Sequence, residues 1–222
     1  MGRSVPVLWL IPLQQQRPSD PDLVSAREWR WAEPLPQRRR SEFLRSRAWM
    51  RRLLGELMDV EPLAIPLDAP PAAPPTLAPG WGCVSLSHCP DALLVGWGPR
   101  KLGVDLERRD RMLPAEALAR RFFPPEERVQ LRGLEPLALR QAVLDRWVIK
   151  EAAIKWQRGS LAKDLPQWCC REDLRTVVHC GEGQELAVQG WRHGSWTLAM
   201  VQDALDGEGC DASRQVSMLC LA

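Results

Sequence analysis

Between residues 61 and 80 seven prolines stand at positions 62, 66, 70, 71, 74, 75 and 79, and no other feature of this chain restricts its fold more. Proline has no amide donor and holds φ near about −65°, so this stretch can be neither a helix interior nor a central strand. It must be an irregular or polyproline-like surface connection. Regular structure has to come from the residues on either side.

Ahead of it, the apolar run 5–13 suits an N-terminal core strand. It is far shorter than the ~20 residues a membrane span needs, and with one charge before it, Arg3, and no small-residue cleavage site after it, it makes a poor signal peptide. Residues 19–52 read as two helices, the first capped by Asp20 or Asp22, with Pro34 and Pro36 between them. In the second, Phe43, Leu44, Trp49, Met50, Leu53 and Leu54 share an apolar side, while Arg39, Arg40, Arg47 and Arg51 fall largely elsewhere. After the prolines, strands are predicted at 83–87, 93–97 and 103–107, with a turn at Gly98-Pro99. Helices are predicted at 115–121, 126–132 and 137–158, the last stopped by Gly159. Strands at 185–189 and 195–201 flank a turn over 190–194. From Gln202 onward order signals are weak. Strand, helices, strands, helices, strands is an α+β order, with two halves meeting near residue 100 and no detectable sequence repeat between them.

Composition narrows the function. With 222 residues, 45% hydrophobic and 26% charged, the chain is neither disordered nor fibrous. Its net charge of +2 is modest for a nucleic-acid binder, yet residues 38–52 hold seven arginines against Glu42 alone. Such a local patch suits a compact polyphosphate. Lysine occurs only at 101, 150, 155 and 163, so two within six residues is a lead. Seven scattered cysteines without C-x-x-C spacing read as free thiols of a reducing cytoplasm.

Asp105 and Glu107 stand two apart, so on a strand both carboxylates share one face while Val104 and Leu106 point to the other. Leu144, Trp147, Val148, Glu151 and Lys155 follow helical spacing, which turns Glu151 toward the core with Lys155 one turn on. An inward carboxylate is costly unless something compensates it. A hard divalent cation would do so, Mg²⁺ or alternatively Mn²⁺, with Asp105, Glu107 and Glu151 as its protein ligands and Lys150 or Lys155 neutralising phosphate. Ser87 and His88, at the end of a strand with no nucleophile-elbow motif, fit phosphate contacts better than a hydrolase pair.

Gly103-Val-Asp-Leu-Glu107 and Trp147-Val-Ile-Lys-Glu-Ala-Ala-Ile-Lys155 resemble the two signature motifs of the 4′-phosphopantetheinyl transferases. Their spacing resembles the monomeric surfactin-synthetase type, and the W-x-x-K-E-A form one of its subgroups. Ser85 to His88 resembles the family's S-x-S-H segment, Arg121 to Glu127 its F-F-x-x-E segment, and the Arg39 to Arg52 stretch its basic N-terminal segment. The resemblance implies a pseudo-twofold monomer of two similar α+β halves, each a small, mainly antiparallel sheet on helices. Residues 1–100 and 101–203 would be the halves and 204–222 a weakly ordered tail.

It implies transfer of phosphopantetheine from coenzyme A to a serine of an apo acyl or peptidyl carrier protein in the cytoplasm, without nucleic acid or membrane. It also implies Mg²⁺ on Asp105, Glu107 and Glu151, catalysis by Glu151 and Lys155, and coenzyme contacts from Arg39, Arg47, Arg51, Ser87, His88, Lys150 and Lys155. One departure is Ala72-Ala73-Pro74-Pro75 where the family often has Gly-Lys-Pro. The same carboxylates acting on water would make a Mg²⁺-dependent nucleotide pyrophosphate hydrolase, the alternative reading.

Overall fold

The computed structural model describes residues 5–14, 21–204 and 216–220. In the first half, β1 (Val7–Pro12) leads to α1 (Ala26–Ala32) and α2 (Gln37–Met58). A two-strand clip, β2 (Leu67–Asp68) and β3 (Thr76–Leu77), gives the proline segment its only strands among the described residues. The hairpin β4 (Cys83–Cys89) and β5 (Ala92–Gly98) then completes a sheet ordered β1-β5-β4. The second half repeats the plan: β6 (Leu102–Arg108), α3 (Ala115–Phe122), α4 (Pro125–Gln130), α5 (Pro136–Gln157), α6 (Leu161–Asp164), then β7 (Trp168–Cys170), β8 (Thr176–His179), β9 (Glu185–His193) and β10 (Trp196–Asp203). Its sheet runs β6-β10-β9-β8-β7, all antiparallel. In each half a strand, a 22-residue helix and a returning hairpin build one antiparallel sheet. The fold is α+β, as expected.

Hydrophobic alternation dictates the layers. Leu8, Leu10 and Leu94 of one sheet meet Leu102, Val104, Leu106, Leu198 and Met200 of the other, so the sheets pack face to face. On the outer faces α2 buries Met50, Leu53 and Leu54 against Val7, Trp9 and Val95, and α5 buries Val148, Ile149 and Ala152 against Val188, Ala199 and Val201. Each such Val, Leu or Ile contributes about 1.5–3 kcal/mol by leaving water.

Several local expectations are corrected. The cap of α1 is Ser25, not Asp22 (Asp20 lies outside the described residues): its hydroxyl accepts from the Glu28 amide and Glu28 answers to the Ser25 amide, closing a capping box. The left-handed residue ending α5 is Arg158 (φ 62°), not Gly159. The second hairpin turns at Gly194, because β9 runs on to His193. Strands β7 and β8 are too short to show a sequence period. In the tail, β11 (Ser217–Cys220) lies parallel to β1; residues 205–215 and 221–222 lie outside the described residues. The described cysteines are all unbridged.

Candidate active site

One glycine brings the acids to the junction of the halves. A Cβ on Gly103 would lie 2.0 Å from the Ala152 carbonyl oxygen, so only glycine lets β6 approach α5 this closely. Two and four residues on, Asp105 and Glu107 occupy the same face of β6, as the period of two requires. Asp105 is buried, and its Oδ1 accepts from the Ser87 hydroxyl and the Lys155 ammonium, both at 2.6 Å. Ser85 Oγ, on the same face of β4, accepts from the Val104 amide at 3.1 Å. These bonds tie β4 and β6, each the edge strand of its sheet, across the two halves.

Asp105 Oδ2 is buried without a hydrogen-bond partner. Such an atom costs about 1–3 kcal/mol, so the site is incomplete as it stands. Burial, reinforced by the Asp105 charge and opposed by Lys155, pushes the Glu151 carboxyl up to about 8. Burial also raises Glu107, against the pull of Arg111, with which it forms an ion pair. Among the described residues no three carboxylate, imidazole or thiol groups form a ready-made metal cage. Mg²⁺ does not need one, since it usually binds through one or two carboxylates together with waters and phosphates. The open oxygen of Asp105, with Glu107 and Glu151 on the same cleft wall, fits that chemistry.

These groups line a cleft of about 660 Å³. Its walls are the first turns of α2, the 71–75 loop, β4, the segment from Lys101 to Glu107, and the end of α5 with Arg158 and Gly159. At Glu42, Ser46, His88 and Glu107 it adjoins a second concavity of about 730 Å³ whose lining includes Arg38, Arg45, Arg108 and Arg111.

Of the residues expected from sequence, Asp105, Glu107, Glu151, Lys155, Ser87, His88, Arg39 and Arg47 all line the cleft. Ser87 is committed to Asp105. Arg47 is buried, with Nε on the Ala69 carbonyl at 2.7 Å and its guanidinium over the Phe43 ring; burial lowers it to about 10, still cationic at neutral pH. Its present work is to hold the loop that follows Ala69.

Two of the expected residues lie away from the cleft. Arg51 is an internal bracket, paired with buried Glu28 at 2.9 Å and donating to the Pro62 and Ile65 carbonyls. Lys150 is wholly buried, ion-paired with equally buried Glu127 and 4.1 Å from the Phe123 ring centroid. Neither is on the cleft wall. A single chain shows which side of a helix a cation leaves from, but not that a buried acid waits there.

Sequence reasoning gave no role to Glu127, Arg111, Lys101 and Arg158. Two of them carried a signal, Glu127 as the last residue of the Arg121 to Glu127 segment and Lys101 through the rarity of lysine.

Residues 101–201 match the family profile described as the 4′-phosphopantetheinyl transferase superfamily. The chain is 31% identical over 168 residues to 4′-phosphopantetheinyl transferase HetI of a Nostoc species, covering 70% of each protein. It is 27% identical over 215 residues to slr0495 of a Synechocystis species, provisionally named for the same activity, covering 90% of this chain and 83% of that one.

Proposed function

The chain belongs to the 4′-phosphopantetheinyl transferase superfamily, and we propose that it moves the phosphopantetheine arm of coenzyme A onto a serine of an apo acyl or peptidyl carrier protein. The serine oxygen forms a bond to the phosphorus that bears the pantetheine. The bond from that phosphorus to the bridging oxygen breaks, and adenosine 3′,5′-bisphosphate leaves with the electron pair. The observation that carries this reading is the grouping of Asp105, Glu151 and Lys155 at the junction of the halves, with one Asp105 oxygen unpaired.

In this reading Glu151 accepts the serine proton; burial and the Asp105 charge raise its carboxyl to about 8 in the metal-free protein, and a divalent cation beside it would favour the carboxylate form that a proton acceptor needs. Lys155, held in place by Asp105, meets the charge that grows on the pyrophosphate oxygens. Ser87 fixes the Asp105 rotamer from the other half. Asp105, Glu107 and Glu151 would hold Mg²⁺, which when bound neutralises pyrophosphate charge. Arg39 and His88, exposed in the cleft, are left for coenzyme phosphates. The carrier serine enters from the neighbouring concavity, whose arginines suit an acidic partner. We place the boundary between halves at residue 100 and the working unit as a cytoplasmic monomer. Among the described residues no helix is long and apolar enough to cross a membrane.

Intact-mass spectrometry of an apo carrier incubated with the protein, coenzyme A and Mg²⁺ tests this. A gain of one phosphopantetheine arm, lost with a chelator and with Asp105→Ala, is expected. Mg²⁺-dependent cleavage of coenzyme A without a carrier, and no mass gain with one, would replace the transferase by a hydrolase.

A further inference from the structure

The halves are tied together again at the end of β6, by a residue that the chemistry above does not use. Asp91 stands in the turn between β4 and β5, in the first half, and is buried. Its carboxylate crosses to the second half. Oδ1 accepts from the indole N–H of Trp196, the first residue of β10, at 3.0 Å, and Oδ2 forms an ion pair with Arg108, the last residue of β6. The Cys89 thiol donates to the same Oδ1 at 3.2 Å. Burial alone would raise the carboxyl, but the Trp196 and Cys89 bonds and the Arg108 charge hold it below its usual range, so it is anionic at neutral pH.

Alternation along β6 gives this tie its meaning. Val104, Leu106 and Arg108 share the face between the two sheets, opposite Met200, Leu198 and Trp196 of β10. Asp105 and Glu107 therefore point the other way, into the cleft. Asp105 is held by side chains of both halves, Ser87 and Lys155. For Glu107 the ion-pair partner among the described residues is Arg111, four positions on in the same half. Its place depends on the backbone that carries it. That backbone belongs to an edge strand, bonded to β10 on one side and packed beside β4 of the other sheet. Three side-chain bonds tie it to the first half: Ser85 to the Val104 amide, Ser87 to Asp105, and Asp91 to Arg108. Glu107 lies between the last two.

We propose that Asp91 is a positioning residue for Glu107: by anchoring Arg108 from the first half it fixes the end of β6 and so sets Glu107 beside Asp105 and Glu151 for a divalent cation. The proposal rests on the metal assignment within the transferase reading and adds the residue that aims one ligand. Asp91 touches no reacting group, and its effect passes through the backbone from Arg108 to Glu107. Outer partners of metal ligands typically carry about 10–100-fold in metal affinity.

Electron paramagnetic resonance of Mn²⁺ added to the full chain with coenzyme A, and without a carrier, reads metal affinity independently of transfer. Asp91→Asn keeps an oxygen for Trp196 and Cys89 and leaves Arg108 its pair with Asp110, so it should fold, yet it should weaken Mn²⁺ binding at least about tenfold. Arg108→Gln breaks the tie from the other side and should do the same, whereas Arg108→Lys should keep most of the affinity. Asp110→Asn removes an exposed partner from the same turn and should change it by less than about twofold. In a Glu107→Gln background Asp91→Asn should add less than about twofold, because both act through one ligand. A lower thermal midpoint in Asp91→Asn with Mn²⁺ affinity unchanged makes the tie structural and overturns the proposal. An undiminished tenfold loss in the Glu107→Gln background overturns it too. Wild-type protein that takes up no Mn²⁺ overturns the metal assignment with it. Should the wild type bind Mn²⁺, lose it on Asp91→Asn and modify no carrier, the transferase reading falls and the role of Asp91 stands.

Discussion

The two halves place the same kind of helix on the same kind of sheet and use it differently. In each, the fifteenth residue of a 22-residue helix is a buried cation paired with a buried glutamate 23 residues earlier: Arg51 with Glu28, and Lys150 with Glu127. The eleventh residues, Arg47 and Arg146, are both buried at 6% exposure. At the sixteenth and twentieth positions the likeness ends. Arg52 and Glu56 form an exposed surface pair on α2, whereas Glu151 and Lys155 on α5 line the cleft. A buried ion pair is a poor source of stability but a good register pin. Each pin fixes the rotation of its helix, and the next residue, about 100° around, points to solvent in one half and to the cleft in the other.

The largest effect should separate the sixteenth positions. Glu151→Gln should lower carrier modification by at least about 10³-fold, as loss of a proton acceptor or of charge stabilisation does, while Arg52→Ala leaves it within about twofold. Single-turnover mass spectrometry decides; comparable losses in both would dissolve the distinction between the helices.

The pins should be alike where the sixteenth positions differ. Glu28→Gln and Glu127→Gln each strand a buried cation and should each cost about 3–5 kcal/mol in urea unfolding. Exchanging both partners of the second pair, as Glu127→Gln with Lys150→Met, should recover much of the loss. If Glu127→Gln were nearly silent, Lys150 would be no pin.

One pH dependence of stability, that of Glu151, belongs to the second half and has no counterpart at Arg52. Glu151 has its folded pKa raised to about 8 from the usual 4.5, so the fold favours its protonated form. That contribution is complete below about 4.5 and is lost as pH rises through about 8. Metal-free wild-type protein should therefore lose stability relative to Glu151→Gln between about pH 5 and about pH 8.5, measured by urea midpoints with chelator present. A gap that does not change with pH would mean that Glu151 ionises normally. The smallest effect should be that of Arg52→Ala on the same unfolding curve, about 0.5 kcal/mol or less, as for other exposed pairs.

Much of the site was legible because its signals are local. The period of two at Asp105 and Glu107 forecast their shared face, and helical spacing placed Glu151 and Lys155 on one side. Gly103 could be seen in the sequence but not explained, since its reason is the Ala152 carbonyl 2.0 Å from where a Cβ would be. Arg51 and Lys150 were out of reach for a related reason: Arg51 stands one helical turn from Arg47 and Lys150 beside Glu151, and the acids that pair with them lie 23 residues away on another helix. No repeat was detectable by residue identity, because Arg51 and Lys150 differ in kind while filling equivalent positions.

By itself the amino-acid order determined the α+β class, the main strands and helices, the carboxylate pair and the helix that answers it, because periodicity and proline act over a few residues. Only the tertiary structure decided which cations are pins and which face the cleft, that Ser87 crosses from the other half to Asp105, and that the Lys101 ammonium sits over the Trp156 ring. A side chain's charge is written in the chain. Whether that charge is spent on a neighbour or left for a ligand depends on what the fold brings within hydrogen-bonding distance.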